Sequence, residues 1–171
     1  MERVIYLAGG CYWGVEKYMS EIKGILKTEV GFANGNTDAP TYYQVRYENT
    51  GHAETVKVTY DPEVISLPVV LKLFYKIIDP VSVDRQGEDE GHQYRTGVYF
   101  TEAEDEAVIA ASLYALEKEV GQTLAVEACP LEHFWPAEEY HQKYLDKNPG
   151  GYCHVPWKMI AWAKTVNPDE I

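Results

Sequence analysis

The chain has 171 residues, a length that fits one domain, and its 46% content of hydrophobic residues is sufficient for one buried core. Lys and Arg number 15 against 27 Asp and Glu, and the formal charge of −12 at pH 7 argues against nucleic acid and anionic membranes as partners. Three widely spaced cysteines do not form the disulfide framework of a small secreted domain, so we expect a reducing, cytoplasmic environment.

The first sixty residues alternate between predicted strands and a helix. Apolar runs predict strands at residues 3–8, 25–33 and 53–60, and a helix at residues 11–22 separates the first two strands. Turn residues such as Asn34-Gly35-Asn36 interrupt these runs. This part of the chain is therefore predicted as strand, helix, strand, loop and strand.

Helical periodicity begins at Ser66, which is placed to cap a helix. This apolar segment is interrupted by two lysines, and the N-terminus has no basic region followed by a long apolar stretch, so neither a membrane span nor a signal peptide is expected. A strand is predicted near residues 95–100. Thr101 with Glu104 then has the pattern of a capping box, and Gly121 is placed to end the helix that follows.

The last fifty residues contain one more strand and one more helix. The strand is predicted at residues 124–128, and the helix, which carries residues 138–145, begins near Pro136. An irregular tail follows the glycines that precede Tyr152. The whole pattern predicts a mixed sheet covered by helices, and it leaves α/β and α+β both open.

Cys11 is the first candidate catalytic residue. It follows the apolar run at residues 4–8 and two glycines, so it lies where a strand turns into the first turn of a helix. Unpaired N–H groups and the helix dipole favour thiolate over thiol at such a position. The alternative is a small buried hydrophobic residue, although the two glycines that clear the backbone favour a reactive thiol.

Glu54 is a second candidate, because strand alternation places it on the same face as Val56 and Val58. Burial disfavours a charged carboxylate and can make it a proton donor near neutral pH. The alternative is a solvated Glu54 at the edge of the core. The acidic loop at residues 85–95 lacks the alternating ligands of a calcium loop, so by itself it indicates a solvated turn.

Cys129, His133, His141 and Cys153 could be considered as zinc ligands. There is no Cys-x-x-Cys pair and no His-Glu-x-x-His helix, so we expect no metal site. Cys129 is most simply a structural residue. Cys153 follows two glycines in a segment that can move, and it is either a resolving thiol that captures oxidised Cys11 or an ordinary tail cysteine.

The chain resembles the peptide methionine sulfoxide reductases of the A type over residues 4–154. The resemblance rests on the order and spacing of several segments: Gly10-Cys11-Tyr12-Trp13-Gly14, Thr41-Tyr42, Gly51-His52-Ala53-Glu54, Tyr60-Asp61-Pro62, Arg85-Gln86-Gly87, Gln93-Tyr94-Arg95, His141-Gln142-Lys143-Tyr144-Leu145 and Asn148-Pro149-Gly150-Gly151-Tyr152-Cys153. Tyr12 departs from the family, which usually has phenylalanine there. No cysteine follows Cys153 in this sequence, so the family's variants with two recycling cysteines are not matched.

The resemblance implies reduction of methionine S-sulfoxide, in proteins and as the free amino acid, to methionine. It implies that Cys11 attacks the sulfoxide sulfur and becomes a sulfenic acid, while Glu54 protonates the departing oxygen. Cys153 then forms a disulfide with Cys11, which thioredoxin reduces. Such an enzyme repairs proteins after oxidative stress and needs no cofactor.

The resemblance also implies a set of substrate-binding residues. The rings of Tyr12 and Trp13 hold the methyl group, and the hydroxyls of Tyr42 and Tyr94 bind the sulfoxide oxygen. Asp89 supports the site through its hydrogen bonds. This implied role replaces the interpretation of the acidic loop as a solvated turn.

For the fold, the resemblance implies an α+β, two-layer ferredoxin-like sandwich around a mixed sheet, with an irregular C-terminal tail. We expect one domain over residues 1–171, with a catalytic core at residues 3–154 and an extension at residues 155–171. A monomer is expected.

Two other functions remain open from the residues alone. One is a thiol hydrolase or peroxidase in which Cys11 works with His52 or His141, and it requires one of these histidines close to the sulfur. The other is a non-enzymatic acidic binding domain, in which Cys11 is dispensable.

Overall fold

The computed structural model describes all 171 residues. The strands are β1 Arg3–Gly9, β2 Ile25–Ala33, β3 Ala53–Tyr60, β4 Arg85–Gln86, β5 Asp89–Glu90, β6 Thr96–Phe100, β7 Glu127–Pro130 and β8 Phe134–Pro136. The α-helices are α1 Tyr12–Ser20, α2 Tyr42–Tyr47, α3 Leu67–Tyr75, α4 Asp105–Val120, α5 Tyr144–Lys147 and α6 Trp157–Ala163. Short 3-10 turns lie at His92–Tyr94, Glu139–His141 and Pro168–Glu170. None of the helices combines the length and apolarity needed to span a membrane.

Six strands form one mixed sheet in the order β7-β6-β1-β3-β2-β8, and β4 pairs with β5 in a separate hairpin. Strands β6 and β7 are parallel, whereas the other neighbours in the large sheet are antiparallel. Apart from short insertions, β1, α1, β2, β3, α3 and β6 follow one another along the chain. This β-α-β-β-α-β order is that of the ferredoxin-like sandwich. The expected α+β class is confirmed.

Helices α1 and α3 pack against one face of the sheet. Alternate residues of β1, Ile5 and Leu7, belong to the main hydrophobic core together with Val15 of α1 and Phe74 of α3. The intervening residue Tyr6 belongs to a smaller cluster. The alternation of side chains along β1 therefore divides the apolar residues between the two faces of the sheet.

The predicted start of α4 is wrong. The helix begins at Asp105 after the N-cap residue Glu104, and no side chain caps it. Arg3 instead binds both acidic groups, with its Nη2 2.6 Å from Glu104 Oε1 and 3.2 Å from Asp105 Oδ1. The predicted end is confirmed, because the helix stops at Gly121 with a left-handed φ of 75°.

The predicted helix at residues 138–145 is divided into a 3-10 turn and the start of α5. Lys143, between the two, has a left-handed φ of 53°, which interrupts the helical backbone. Its N–H donates to the buried carboxylate of Glu16 at 2.8 Å, so this conformation ties the segment to α1. The strand predicted at residues 124–128 begins later, as β7.

The expectation of an irregular C-terminal tail is wrong in part, because this segment contains α6. Ile160 and Ala163 lie three residues apart on one face of α6, and together with Val166 they belong to the main hydrophobic core. Burial of these side chains provides a physical reason for the helix to form where no polar motif marks it.

Candidate active site

Cys11 lies at the junction between β1 and α1, where it is the N-cap residue of the helix. The chain reaches it through Gly10, which has a left-handed φ of 85°. A Cβ atom at Gly10 would lie 2.7 Å from Cβ of Gln86, so the turn requires glycine for both its conformation and its close approach. The predicted strand-to-helix position of Cys11 is confirmed.

The Cys11 thiol is buried, with 7% of the residue exposed. Burial raises its pKa well above the ordinary value, and the nearby Glu54 raises it further. A hydrogen bond from the backbone of Trp13 has the opposite effect, but it does not compensate. The expected thiolate is therefore wrong for the resting site, because desolvation outweighs the helix N-terminus.

Glu54 lies on β3 and is almost fully buried, with 1% exposed. Its Oε1 accepts a hydrogen bond from the N–H of Tyr12 at 3.2 Å, which joins this carboxyl to the first turn of α1. Burial raises the pKa of Glu54 to about 8, against the lowering effect of that hydrogen bond. Glu54 thus holds a proton at neutral pH, in agreement with the predicted burial and pKa direction.

Tyr42 and Tyr94 are joined through Arg46. The Arg46 Nη1 donates to the hydroxyl oxygens of both tyrosines, at 3.3 Å each. Because each phenol oxygen accepts from the guanidinium, its own O–H proton remains available to another acceptor. The site therefore has two oriented hydroxyl donors.

Aromatic rings surround Trp13 in the first turn of α1. Its ring stacks on Tyr144, with centroids 3.7 Å apart, and its Nε1 donates to His141 Nδ1 at 3.1 Å. The ring of Tyr12 packs against Phe32 and His141, with each centroid 5.7 Å away. The Tyr12 hydroxyl is buried and has no hydrogen-bond partner.

The acidic loop and the C-terminal segment meet at Asp89. Asp89 Oδ2 accepts a hydrogen bond from the hydroxyl of Tyr152 at 2.9 Å and lies 4.0 Å from Nδ1 of His154. Between these residues, the Cys153 thiol donates to Val155 O at 3.1 Å. Asp89 also contributes to the raised pKa values of both Cys11 and Glu54, so its negative charge acts on the reacting groups.

The site combines a buried thiol, a protonated carboxyl and two phenols in one place. A family model described as "Peptide methionine sulfoxide reductase" matches residues 3–168. The chain belongs to this family. A relative from Lachnoclostridium phytofermentans named "Peptide methionine sulfoxide reductase MsrA" is 54% identical over 155 residues, which cover 91% of this chain and 93% of the relative.

Solved structures of similar proteins have the same fold as this member of the reductase family. Mxr1 from Saccharomyces cerevisiae in reduced form gives a TM-score of 0.85 at 36% identity and covers 91% of both chains. Methionine sulfoxide reductase A of Corynebacterium diphtheriae gives a TM-score of 0.82 at 33% identity, with 91% of this chain and 83% of the other covered. Mxr1 in complex with Trx2 gives 0.60 at 23% identity over 84% of each chain, a likeness in fold alone.

The structure places the site residues expected from the reductase resemblance in one region, although their catalytic roles stay predictions. Arg46, however, is absent from that expectation. The sequence contains a pattern that could have indicated Arg46, because Thr41 and Gln44 form the capping box that begins α2. Had that helix been predicted, the spacing of four residues would have placed Arg46 beside Tyr42.

The two histidines of the hydrolase alternative have other partners. His52 Nδ1 accepts from the N–H of Gly35 at 3.1 Å, and its Nε2 lies 2.7 Å from Thr37 O. His141 Nδ1 accepts from the Trp13 indole. Burial lowers the pKa of both histidines, which weakens either one as a base for the Cys11 thiol. No group of three or more His, Cys, Asp or Glu side chains is arranged to hold a metal ion.

Proposed function

We propose that this chain reduces methionine S-sulfoxide to methionine, with Cys11 as nucleophile and Glu54 as general acid. The observation that carries the proposal is the buried carboxyl of Glu54, protonated at neutral pH and bonded to the first turn of the helix that begins at Cys11. A sulfoxide sulfur becomes a good electrophile only when its oxygen is protonated or strongly hydrogen-bonded. We propose that Glu54 supplies this proton.

In the first step, the Cys11 sulfur attacks the sulfoxide sulfur while Glu54 gives its proton to the oxygen. Tyr42 and Tyr94 donate hydrogen bonds to the same oxygen as its negative charge develops. The attack forms an S–S bond to the protonated sulfoxide. The hydroxyl then passes to the Cys11 sulfur as the S–S and S–O bonds of the adduct break, so Cys11 is oxidised to a sulfenic acid and the reduced thioether of methionine leaves. Glu54 recovers its proton from the Cys11 thiol, so the carboxyl is regenerated.

The raised pKa values of Cys11 and Glu54 support this exchange of protons. A negative charge on Glu54 raises the pKa of the Cys11 thiol, and because repulsion between like charges is mutual, we treat the two groups as a coupled pair. A thiolate forms at low cost only when Glu54 keeps or regains its proton. The rings of Tyr12 and Trp13 provide an apolar wall for the methyl group, and Asp89 adjusts the electrostatic potential of the site.

In the second half of the cycle, Cys153 attacks the Cys11 sulfenic acid and forms a disulfide with release of water. We propose that thioredoxin then reduces this disulfide, in keeping with the solved complex of the structural neighbour Mxr1 with Trx2. Proteins and the free amino acid are both proposed substrates, and a cytoplasmic location fits the reduced cysteines that this cycle needs. We propose one catalytic domain over residues 1–171, because a single core contains both Ile5 and Val166.

The test is a single-turnover assay. The prereduced protein is incubated without added reductant with S-sulfoxide and R-sulfoxide peptides in separate reactions, and methionine and disulfides are quantified by mass spectrometry. We expect about one methionine per protein from the S peptide alone, together with a Cys11–Cys153 bond. The Cys11→Ser variant is the control. If neither the S peptide nor the R peptide yields methionine, this function is excluded.

A further inference from the structure

Gly14 lies inside helix α1 and has an ordinary helical backbone, since its φ is not among the positive values. Glycine within a helix costs roughly 0.5–1 kcal/mol relative to alanine. Backbone conformation alone therefore gives no reason for glycine at this position. The reason lies in what contacts this side of the helix.

A Cβ atom at Gly14 would meet three consecutive residues of the C-terminal segment. It would lie 3.1 Å from Sγ of Cys153, 3.3 Å from Nδ1 of His154 and 3.1 Å from Cγ2 of Val155. Each distance is shorter than ordinary van der Waals contact. The missing side chain of Gly14 thus leaves a notch that the segment carrying the proposed resolving thiol fills.

Other contacts hold the segment in this notch. His154 Nε2 is 3.0 Å from the carbonyl oxygen of Gly9, at the end of β1. Val155 is 1% exposed and belongs to the main hydrophobic core. These two anchors follow Cys153 directly, and on its other side the Tyr152 hydroxyl donates to Asp89, so the segment is held on both sides of the thiol.

The notch lies close to the reacting sulfur. Cys11 is the N-cap residue of α1 and Gly14 is the third residue of the helix, and an N-cap side chain characteristically lies close to the backbone of the second and third helical residues. A disulfide requires Cβ atoms about 3.5–4.5 Å apart. In the notch, the Cys153 thiol lies beside the first turn of the helix that Cys11 caps, and both cysteines are free.

We propose that Gly14 is a positioning residue for the second step of the reaction, and that its notch holds Cys153 ready to attack Cys11 after oxidation. This inference rests on the proposed function. In the step, the Cys153 sulfur forms the S–S bond while the S–O bond of the Cys11 sulfenic acid breaks. The hydroxyl leaves with the thiol proton as water, so no additional oxidant or reductant is needed.

The experiment compares Gly14→Ala with Gly150→Ala. Gly150 precedes Cys153 by three residues, has no positive φ and would place its Cβ in open space, so it is a matched control in the same segment. Each prereduced variant reacts once with the S-sulfoxide peptide, and samples are quenched over time. Methionine, the Cys11–Cys153 disulfide and sulfenic acid trapped by dimedone are then quantified.

We expect Gly14→Ala to form methionine at a rate within about threefold of the original chain, since the donors and the acid are unchanged. Disulfide formation should slow at least about tenfold, with transient sulfenic acid, because the thiol loses its ready position. Gly150→Ala should match the original chain in both steps. A urea unfolding curve for each variant checks that it is folded.

Three outcomes would overturn the inference. One is disulfide formation in Gly14→Ala as fast as in the original chain. Another is an equal delay in Gly150→Ala, which would assign the effect to the flexibility of the segment. The third is loss of methionine formation in Gly14→Ala, which would place the effect in the first step. Failure of the proposed function is distinguishable, because the original chain itself would then produce no methionine.

Discussion

Replacement of Glu54 by glutamine tests the buried acid through both stability and activity. Glutamine keeps the carbonyl oxygen that accepts from the N–H of Tyr12, but it has no proton to give. We expect Glu54→Gln to lower the rate of methionine formation by about 10²- to 10⁴-fold, the range ascribed to general acid catalysis. The same change should stabilise the fold at alkaline pH.

The size of the stabilisation follows from the pKa of Glu54. The carboxyl ionises at about 8 when folded, against an ordinary value of 4.5. Between these pH values the folded protein keeps a proton that the unfolded chain has lost, so the free energy of unfolding falls as pH rises. At about 1.4 kcal/mol per pH unit the loss by pH 8 is on the order of 5 kcal/mol. The glutamine side chain does not ionise, so the free energy of unfolding of Glu54→Gln should not show this decrease.

Urea unfolding of both proteins at intervals between pH 5 and pH 8.5 measures the effect. The difference in the free energy of unfolding should grow with pH in favour of Glu54→Gln and level off above about pH 8. The control is Glu16→Gln, since Glu16 is also buried but bonds Thr28 and Lys143. It should retain methionine formation. A stability difference that is constant with pH, or that shrinks, would refute the argument for a protonated Glu54.

Three further substitutions have definite expected results. Cys153→Ser should give one turnover of methionine in the single-turnover assay but lose thioredoxin-supported cycling, and unchanged steady-state turnover would exclude Cys153 as the resolving thiol. Arg46→Met should lower kcat about tenfold, since it removes the charged group that donates hydrogen bonds to Tyr42 and Tyr94. A hydrogen bond from a charged group contributes roughly 1.5 kcal/mol or more. An unchanged kcat would show that the phenols do not need this donor. Tyr12→Phe should raise the free energy of unfolding, measured by urea unfolding, by about 1–3 kcal/mol, because it removes a buried hydroxyl that has no hydrogen-bond partner. A decrease would show that this hydroxyl is hydrogen-bonded in solution.

The central strands could be predicted from the sequence because the alternation of their side chains involves only residues that are neighbours in the chain. In β1, Ile5 and Leu7 alternate with Tyr6, and the pattern is visible without knowledge of any partner. Helix α2 could not be predicted from apolar periodicity, since Val45 is its one buried residue. The start of α4 was obscured because Arg3, a residue far away in the chain, binds the acidic groups at that helix end.

The candidate site shows the same division between local and distant causes. Glu54 is buried as predicted, but alternation is not the cause, because every residue of β3 except Lys57 is buried. The position of Cys11 followed from a strand, two glycines and a helix. The pKa of Cys11 did not follow from local sequence, because its burial depends on elements that pack from elsewhere in the chain. The role of Gly14 likewise depends on residues 153–155, which only the folded structure brings to the helix.

The hydrogen bond between Trp13 and His141 joins residues 128 positions apart, and the one between Glu16 and Lys143 joins residues 127 positions apart. During synthesis, helix α1 therefore leaves the ribosome long before the segment that closes over it. A nascent chain that ends before His141 carries the nucleophile and the rings of Tyr12 and Trp13, but it has neither the side chains of His141 and Tyr144 that pack on these rings nor the resolving thiol. The surroundings of Cys11 are therefore completed only when the last part of the chain has been synthesised.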